Sequence, residues 1–114
     1  MKKSLSIFFL VIVLIQLIFI PATLAAELSN GAKIFSSNCA SCHIAGGNIL
    51  ISEKTLKKEA LQKYLEDYEI NSIQSILDQV TNGKGAMPAF KGKLNEQELL
   101  EVAGYVFQKA EQGW

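Results

Sequence analysis

Two thiols and an imidazole stand together in Cys39-Ala40-Ser41-Cys42-His43. Thiols three positions apart can meet the two vinyl groups of one porphyrin and form thioethers. The residue after the second thiol then places its imidazole under the iron, which makes Cys-x-x-Cys-His the spacing of covalent haem attachment and His43 the proximal ligand. Other chemistries share part of this pattern. A redox dithiol also uses Cys-x-x-Cys, but on a fold that alternates strands with helices, and no such strand pattern follows residue 26. A structural zinc site wants four ligands, usually Cys or His, and the chain has only two cysteines and one histidine. A disulfide between Cys39 and Cys42 would close so small a loop that it would stabilise little.

The iron's other face needs a second ligand. With a single histidine in the chain, two imidazoles cannot come from one molecule, and methionine is the next candidate. Once Met1 has left with the N-terminal segment treated below, Met87 is the only methionine. It sits in the glycine-rich stretch Asn82-Gly83-Lys84-Gly85-Ala86-Met87-Pro88-Ala89-Phe90, where Pro88 biases Met87 away from helical geometry. Methionines often fill gaps in a core, but a loop that can swing across the haem face is an odd place for a core filler. A Met and His pair raises the reduction potential relative to two histidines. With both axial positions filled, the iron is poorly suited to binding oxygen or substrate, so these residues point to outer-sphere electron transfer rather than catalysis.

Helices must carry these residues. Leu28 to Asn38 reads as a first helix, with Gly31, Phe35 and Cys39 along one face. From Asn71, the pattern Ile73, Ile76, Leu77, Val80 is helical, with Asn71 and Gln74 in N-cap and capping-box positions and Gly83 at the end. Asn95 and Glu98 form a second capping-box pair ahead of an apolar stripe of Leu99, Val102, Ala103, Val106, Phe107 and Ala110. Gly104 interrupts that stripe at a cost of about 1 kcal/mol relative to Ala, and close packing against Gly31 is one reason to keep it there. Lys54 to Tyr68 also reads as helical, with Leu56, Leu61 and Leu65 as its stripe. The expectation is an all-α cradle of about four helices.

The first 25 residues stand apart. Lys2 and Lys3 precede an apolar run from Ile7 to Ile20 broken only by Gln16, and Pro21-Ala22-Thr23-Leu24-Ala25 follows with small residues at 23 and 25. This is the layout of a signal peptide cleaved after Ala25. The run is shorter than the roughly 20 residues of a membrane span, and Pro21 breaks it, which disfavours a retained anchor. Residues 1–25 are therefore expected to be a signal peptide and 26–114 one small domain. Cleavage removes two of eleven lysines and none of the eleven acidic residues, leaving a formal charge of −2. That sign, with no basic run, argues against nucleic acid or an anionic membrane surface as partner. A domain of this size commonly borrows stability from a cofactor, metal or disulfide.

The chain resembles the cytochrome c6 family along the whole of residues 26–114. The likeness rests on Asn30-Gly31-Ala32-Lys33-Ile34-Phe35 before the Cys-Ala-Ser-Cys-His motif, and on Gly46-Gly47-Asn48 and Lys54-Thr55-Leu56-Lys57-Lys58. It continues through Gln79-Val80-Thr81-Asn82-Gly83-Lys84, Met87-Pro88-Ala89-Phe90 and the final Gly113-Trp114. Tyr64 to Ile70 departs from the family pattern. The resemblance implies the class I cytochrome c fold, one covalent haem c on Cys39 and Cys42, His43 and Met87 as axial ligands, and Gln79 near the haem as a tuning contact. It also implies a non-enzymatic carrier that takes an electron from cytochrome f of the cytochrome b6f complex and delivers it to photosystem I in the thylakoid lumen, acting as a monomer that meets membranes transiently. No Ser- and Arg-rich transit peptide precedes the signal, and all eleven basic residues are lysine, which tilts the expectation toward a plastid-encoded algal protein over a cyanobacterial one. Lys84, Lys91 and Lys93, near Met87 in sequence, could steer an acidic partner.

Overall fold

A computed structural model describes residues 1–18 and 22–114. Among these residues there is no strand. The order is α1 (Lys2–Ile18), α2 (Ala22–Asn38), a 3-10 turn at Ile44–Gly46, α3 (Lys58–Tyr64), α4 (Ser72–Asn82) and α5 (Glu96–Gln112). Large apolar side chains of α1 from Leu5 to Ile15 are exposed, as a segment that is apolar all round must leave them unless something else covers it. No helix among the described residues is long and apolar enough to cross a membrane. Phe19, Ile20 and Pro21, where the apolar run is expected to break, lie outside the described residues.

The domain is built on α5, which packs against both α2 and α4. Its N-terminus carries the expected capping box. Asn95 Oδ1 accepts from the Glu98 amide at 2.9 Å and Glu98 Oε2 accepts from the Asn95 amide at 2.9 Å, so two donors with no partner inside the helix are satisfied reciprocally. Its stripe forms the core: Leu99, Val102, Ala103, Val106 and Ala110 are buried, with Phe107 half-buried. From the other elements come Ile34 and Phe35 of α2, Leu61 of α3, Ile76 and Val80 of α4, and Tyr68 and Phe90.

Two helix boundaries are corrected. Helix α2 starts at Ala22 rather than Leu28, because Ala22 to Glu27 contains no helix breaker and Ala is the best helix former. The helix expected over Lys54 to Tyr68 shrinks to Lys58–Tyr64. Before it, Asn48 organises a loop instead: its Oδ1 accepts from the Leu50 and Ile51 amides and its Nδ2 donates to the Lys54 carbonyl. After it, Leu65 is extended and Asp67 adopts a left-handed φ of 57°, a conformation Asp tolerates and a helix cannot contain. Ser72 Oγ to the Tyr68 carbonyl and Ser75 Oγ to the Glu66 carbonyl, both 2.8 Å, tie that loop to α4.

Gly104 has open space where its Cβ would be, while a Cβ on Gly31 would run into the Glu101 carbonyl oxygen and lie 2.8 Å from Tyr105 Cβ. Gly31 does allow α2 to approach α5 closely, but its partners are Glu101 and Tyr105, three residues before and one after the expected Gly104. On α4, Ile73 is exposed and Ser75 is buried in its place. Asn71 accepts from the Gln74 amide at 3.3 Å as an N-cap, but the Gln74 side chain donates onward to Asp78, so only half of the expected box forms.

Candidate functional site

The end of α2 delivers both thiols. Cys39 and Ala40 amides donate to the Phe35 carbonyl at 2.8 and 3.0 Å, and the His43 amide donates to the Cys39 carbonyl at 2.9 Å, so the motif forms a tight turn continuing from the helix. No disulfide joins the two cysteines; Cys39 is half-buried and Cys42 exposed. Burial pushes the Cys39 thiol up to about 11, with the Cys42 sulfur a smaller contribution in the same direction; desolvation disfavours the thiolate.

His43 Nδ1 lies 2.8 Å from the Gly47 carbonyl oxygen. A carbonyl can only accept, so Nδ1 carries the proton and Nε2 keeps its lone pair for a metal. A ring held this way is fixed in tautomer and orientation, the usual arrangement behind a metal-bound imidazole.

Met87 arrives from the C-terminus of α4. Gly83, at φ 66°, caps that helix, and a Cβ there would lie 2.7 Å from the Ala89 amide nitrogen, so only glycine lets the returning loop pass. Lys84 and Met87 exchange two backbone hydrogen bonds at 3.0 and 3.1 Å, and the Phe90 and Lys91 amides donate to the Val80 and Thr81 carbonyls. The loop is thus strapped back onto α4. Gln79, one turn before its end, donates from Nε2 to Met87 Sδ at 3.8 Å.

Cys39, Cys42, His43, Gln79 and Met87 all border one cleft of about 350 Å³, whose walls include Phe35, Leu61, Ile76, Val80, Phe90, Val102 and Val106. That volume lies in the range of small-ligand sites, roughly 300–1,000 Å³, and the lining is mainly apolar with a few polar groups. The chemistry of the donors fits a haem: two thiols on one wall, an imidazole with a free Nε2, and a thioether, around a space suited to a flat apolar ring. No group of three or more His, Cys, Asp or Glu among the described residues is placed to hold a bare metal ion.

Residues 26–106 match the family model described as cytochrome c oxidase, cbb3-type, subunit III. The chain is 52% identical over 94 residues to cytochrome c6 of Thermosynechococcus vestitus, covering 82% of this chain and 80% of that one. It is 50% identical over 114 residues to cytochrome c6 of a Nostoc species, covering 100% and 99%. The chain belongs to the cytochrome c6 family. Cytochrome c6 of the diatom Phaeodactylum tricornutum superposes with a TM-score of 0.73 at 49% identity, covering 76% of this chain and 98% of that one. Membership brings the class I cytochrome c fold, one covalently bound haem c with its iron, and electron carriage rather than enzymatic turnover.

Of the residues expected from sequence to form the site, Cys39, Cys42, His43, Met87 and Gln79 are all brought to the one cleft. Two supporting residues were not legible as such. Asn48, which shapes the loop after the haem motif, and Trp114, whose Nε1 donates to the Leu56 carbonyl at 2.8 Å, entered only as parts of the family pattern. Asn48 followed by an apolar run carries a weak local signal for an Asx turn; a C-terminal Trp carries none.

Proposed function

We propose that this cytochrome c6 family member carries single electrons from cytochrome f of the cytochrome b6f complex to photosystem I, in the thylakoid lumen, as a diffusible protein. In this reading Cys39 and Cys42 form the thioethers, His43 and Met87 are the axial ligands, and Gln79 tunes the site through Met87. The haem supplies the one-electron couple. Everything else is positioning: Gly47 orients His43, the strapped loop presents Met87, and Gln79 Nε2 holds its sulfur.

The observation that carries the reading is that His43 and Met87 border the same cleft, although 44 residues separate them and neither has a rival of its type between residues 26 and 114. The likeness to cytochromes c6 of cyanobacteria and of a diatom supports the photosynthetic direction. We further infer that residues 1–25 are a signal peptide removed after Ala25. The exposed apolar helix α1 and a family match that begins at residue 26 support this. The absence of arginine among the eleven basic residues favours a plastid-encoded origin.

Stopped-flow and flash kinetics of the purified haem protein decide the partners. Rapid reduction by cytochrome f and rapid oxidation by photosystem I particles are expected. Oxidation by oxidase membranes but not by photosystem I would overturn the assignment in favour of a respiratory carrier, the direction in which the name of the family model points.

A further inference from the structure

The last residue of the chain is built into the far side of the turn that holds His43. Trp114 is half-buried, its ring centroid 5.2 Å from that of Phe35 and 6.1 Å from that of Tyr105. Its indole lies over Gly46: at φ 74°, a Cβ on Gly46 would run into the ring, with Cδ1 at 2.7 Å. Leu56 closes the arrangement, since its carbonyl accepts from Trp114 Nε1 at 2.8 Å and its amide donates to the Gly46 carbonyl at 2.7 Å. The residue after Gly46 supplies the carbonyl that receives His43 Nδ1.

This turn does not hold itself. Ala45 sits at φ 49° inside it, a left-handed conformation that a residue with a Cβ adopts only when its surroundings over-determine it. The internal bonds are Gly46 N–H to the His43 carbonyl and Gly47 N–H to the Ile44 carbonyl, at 3.1 and 2.9 Å. The external restraint on its other side is the indole together with Leu56. Trp114 does not border the cleft, so its influence on the site runs through the turn and through Phe35, which touches both.

We propose that Trp114 is a positioning residue for His43, holding the 44–47 turn so that the Gly47 carbonyl stays on Nδ1 and keeps the imidazole a strong donor. This rests on the reading of His43 as an iron ligand. An imidazole that donates Nδ1–H to a fixed carbonyl is more basic at its other nitrogen, and a more basic ligand favours the oxidised iron. Releasing the turn weakens that donation, so the affinity for an electron rises.

The test compares the haem-loaded parent with Trp114→Ala and Trp114→Phe, the latter keeping an aromatic ring but losing the bond to Leu56. Two quantities are read: the midpoint potential, and solvent exchange of the His43 Nδ1–H in the reduced, nitrogen-15-labelled protein. With haem content unchanged, Trp114→Ala is expected to raise the equilibrium constant for electron uptake at least threefold, about 28 mV at 59 mV per tenfold for one electron. It is also expected to speed Nδ1–H exchange at least tenfold, with Trp114→Phe between it and the parent. Parent-like exchange in the variants that load haem overturns the proposal, whether or not the potential moves, because a shift without faster exchange belongs to Phe35. If Trp114→Ala does not load haem, Trp114→Phe decides alone: threefold faster exchange supports the proposal and unchanged exchange overturns it. His43→Gly separates the two readings, since a variant that keeps the parent's low-spin spectrum would remove His43 as ligand whatever Trp114 does.

Discussion

A thioether is a weak, neutral donor, and the same property that makes it a poor ligand for oxidised iron makes it a good one for a carrier meant to accept electrons readily. Met87 Sδ accepts from Gln79 Nε2 at 3.8 Å, so the amide orients the sulfur without competing strongly for it. Met87→Ala should therefore load haem through Cys39 and Cys42 but lose the red-region charge-transfer band of sulfur bound to ferric iron. Its potential should fall by at least about 0.1 V, a fraction of the roughly 0.8 V over which axial ligands move haem potentials. Retention of both band and potential would show that Met87 is a wall residue. That Met87 stands out in the sequence as the candidate ligand is a matter of scarcity: with one histidine and one other methionine, at the first position, elimination does what geometry would otherwise have to do. Gln79 had no such advantage. A glutamine on a helix fits many roles, and its contact with Met87 depends on how the loop folds back onto α4.

At the scale of elements, the helices with strong local instructions came out as their residues read, and those relying on tertiary contacts did not. Helix α5 has a capping box and a continuous stripe, both set within a few residues, and both form. Asn95→Ala should remove the cap and lower stability by about 1 kcal/mol, measurable as a shifted denaturant midpoint with unchanged slope. Helix α3 has neither signal: no side chain caps it, and its limits are set by the Asn48 loop on one side and the left-handed Asp67 on the other, which hydropathy does not record. The two glycines show the same divide. Sequence placed Gly31 at a helix contact but could not choose its partner, because a shift of one residue on α5 changes the neighbour. Gly31→Ala should destabilise by about 1–3 kcal/mol, the usual range for overpacking, since the obstacle is the Glu101 backbone rather than a flexible side chain. Gly104→Ala, with open space at its Cβ, should instead stabilise by up to about 1 kcal/mol through helix propensity. Equal effects of the two in thermal unfolding would contradict this packing.

For the molecule as a whole, site and core share one surface. Among the described residues, seven of the twelve in the buried core, Phe35, Leu61, Ile76, Val80, Phe90, Val102 and Val106, also wall the cleft. Without its haem the domain must keep those side chains around a space of about 350 Å³. At about 24 cal/mol per Å³ for an unfilled apolar cavity, the cost is at most about 8 kcal/mol, an upper bound because the cleft is open to water at its mouth. A domain of this size has a total stability of only about 4–13 kcal/mol at the usual value per residue. The cofactor that fills the cleft therefore contributes to stability on the scale of the fold's own margin, and the thioethers matter because they keep that cofactor from leaving. A chain carrying both Cys39→Ala and Cys42→Ala, prepared without haem, should show weakened helical circular dichroism at 25 °C and no cooperative thermal transition, while the haem-loaded parent melts sharply. A cooperative transition within about 10 °C of the parent would mean that the cleft collapses on its own and that the helices, not the haem, hold the fold. Local instructions bear on this outcome: the capping box of α5 and the Asn71 cap of α4 need no cofactor, so residual helicity in the haem-free chain should map to those two helices in hydrogen exchange. Little of it should reach α3, which has no cap and contributes to the core only through Leu61.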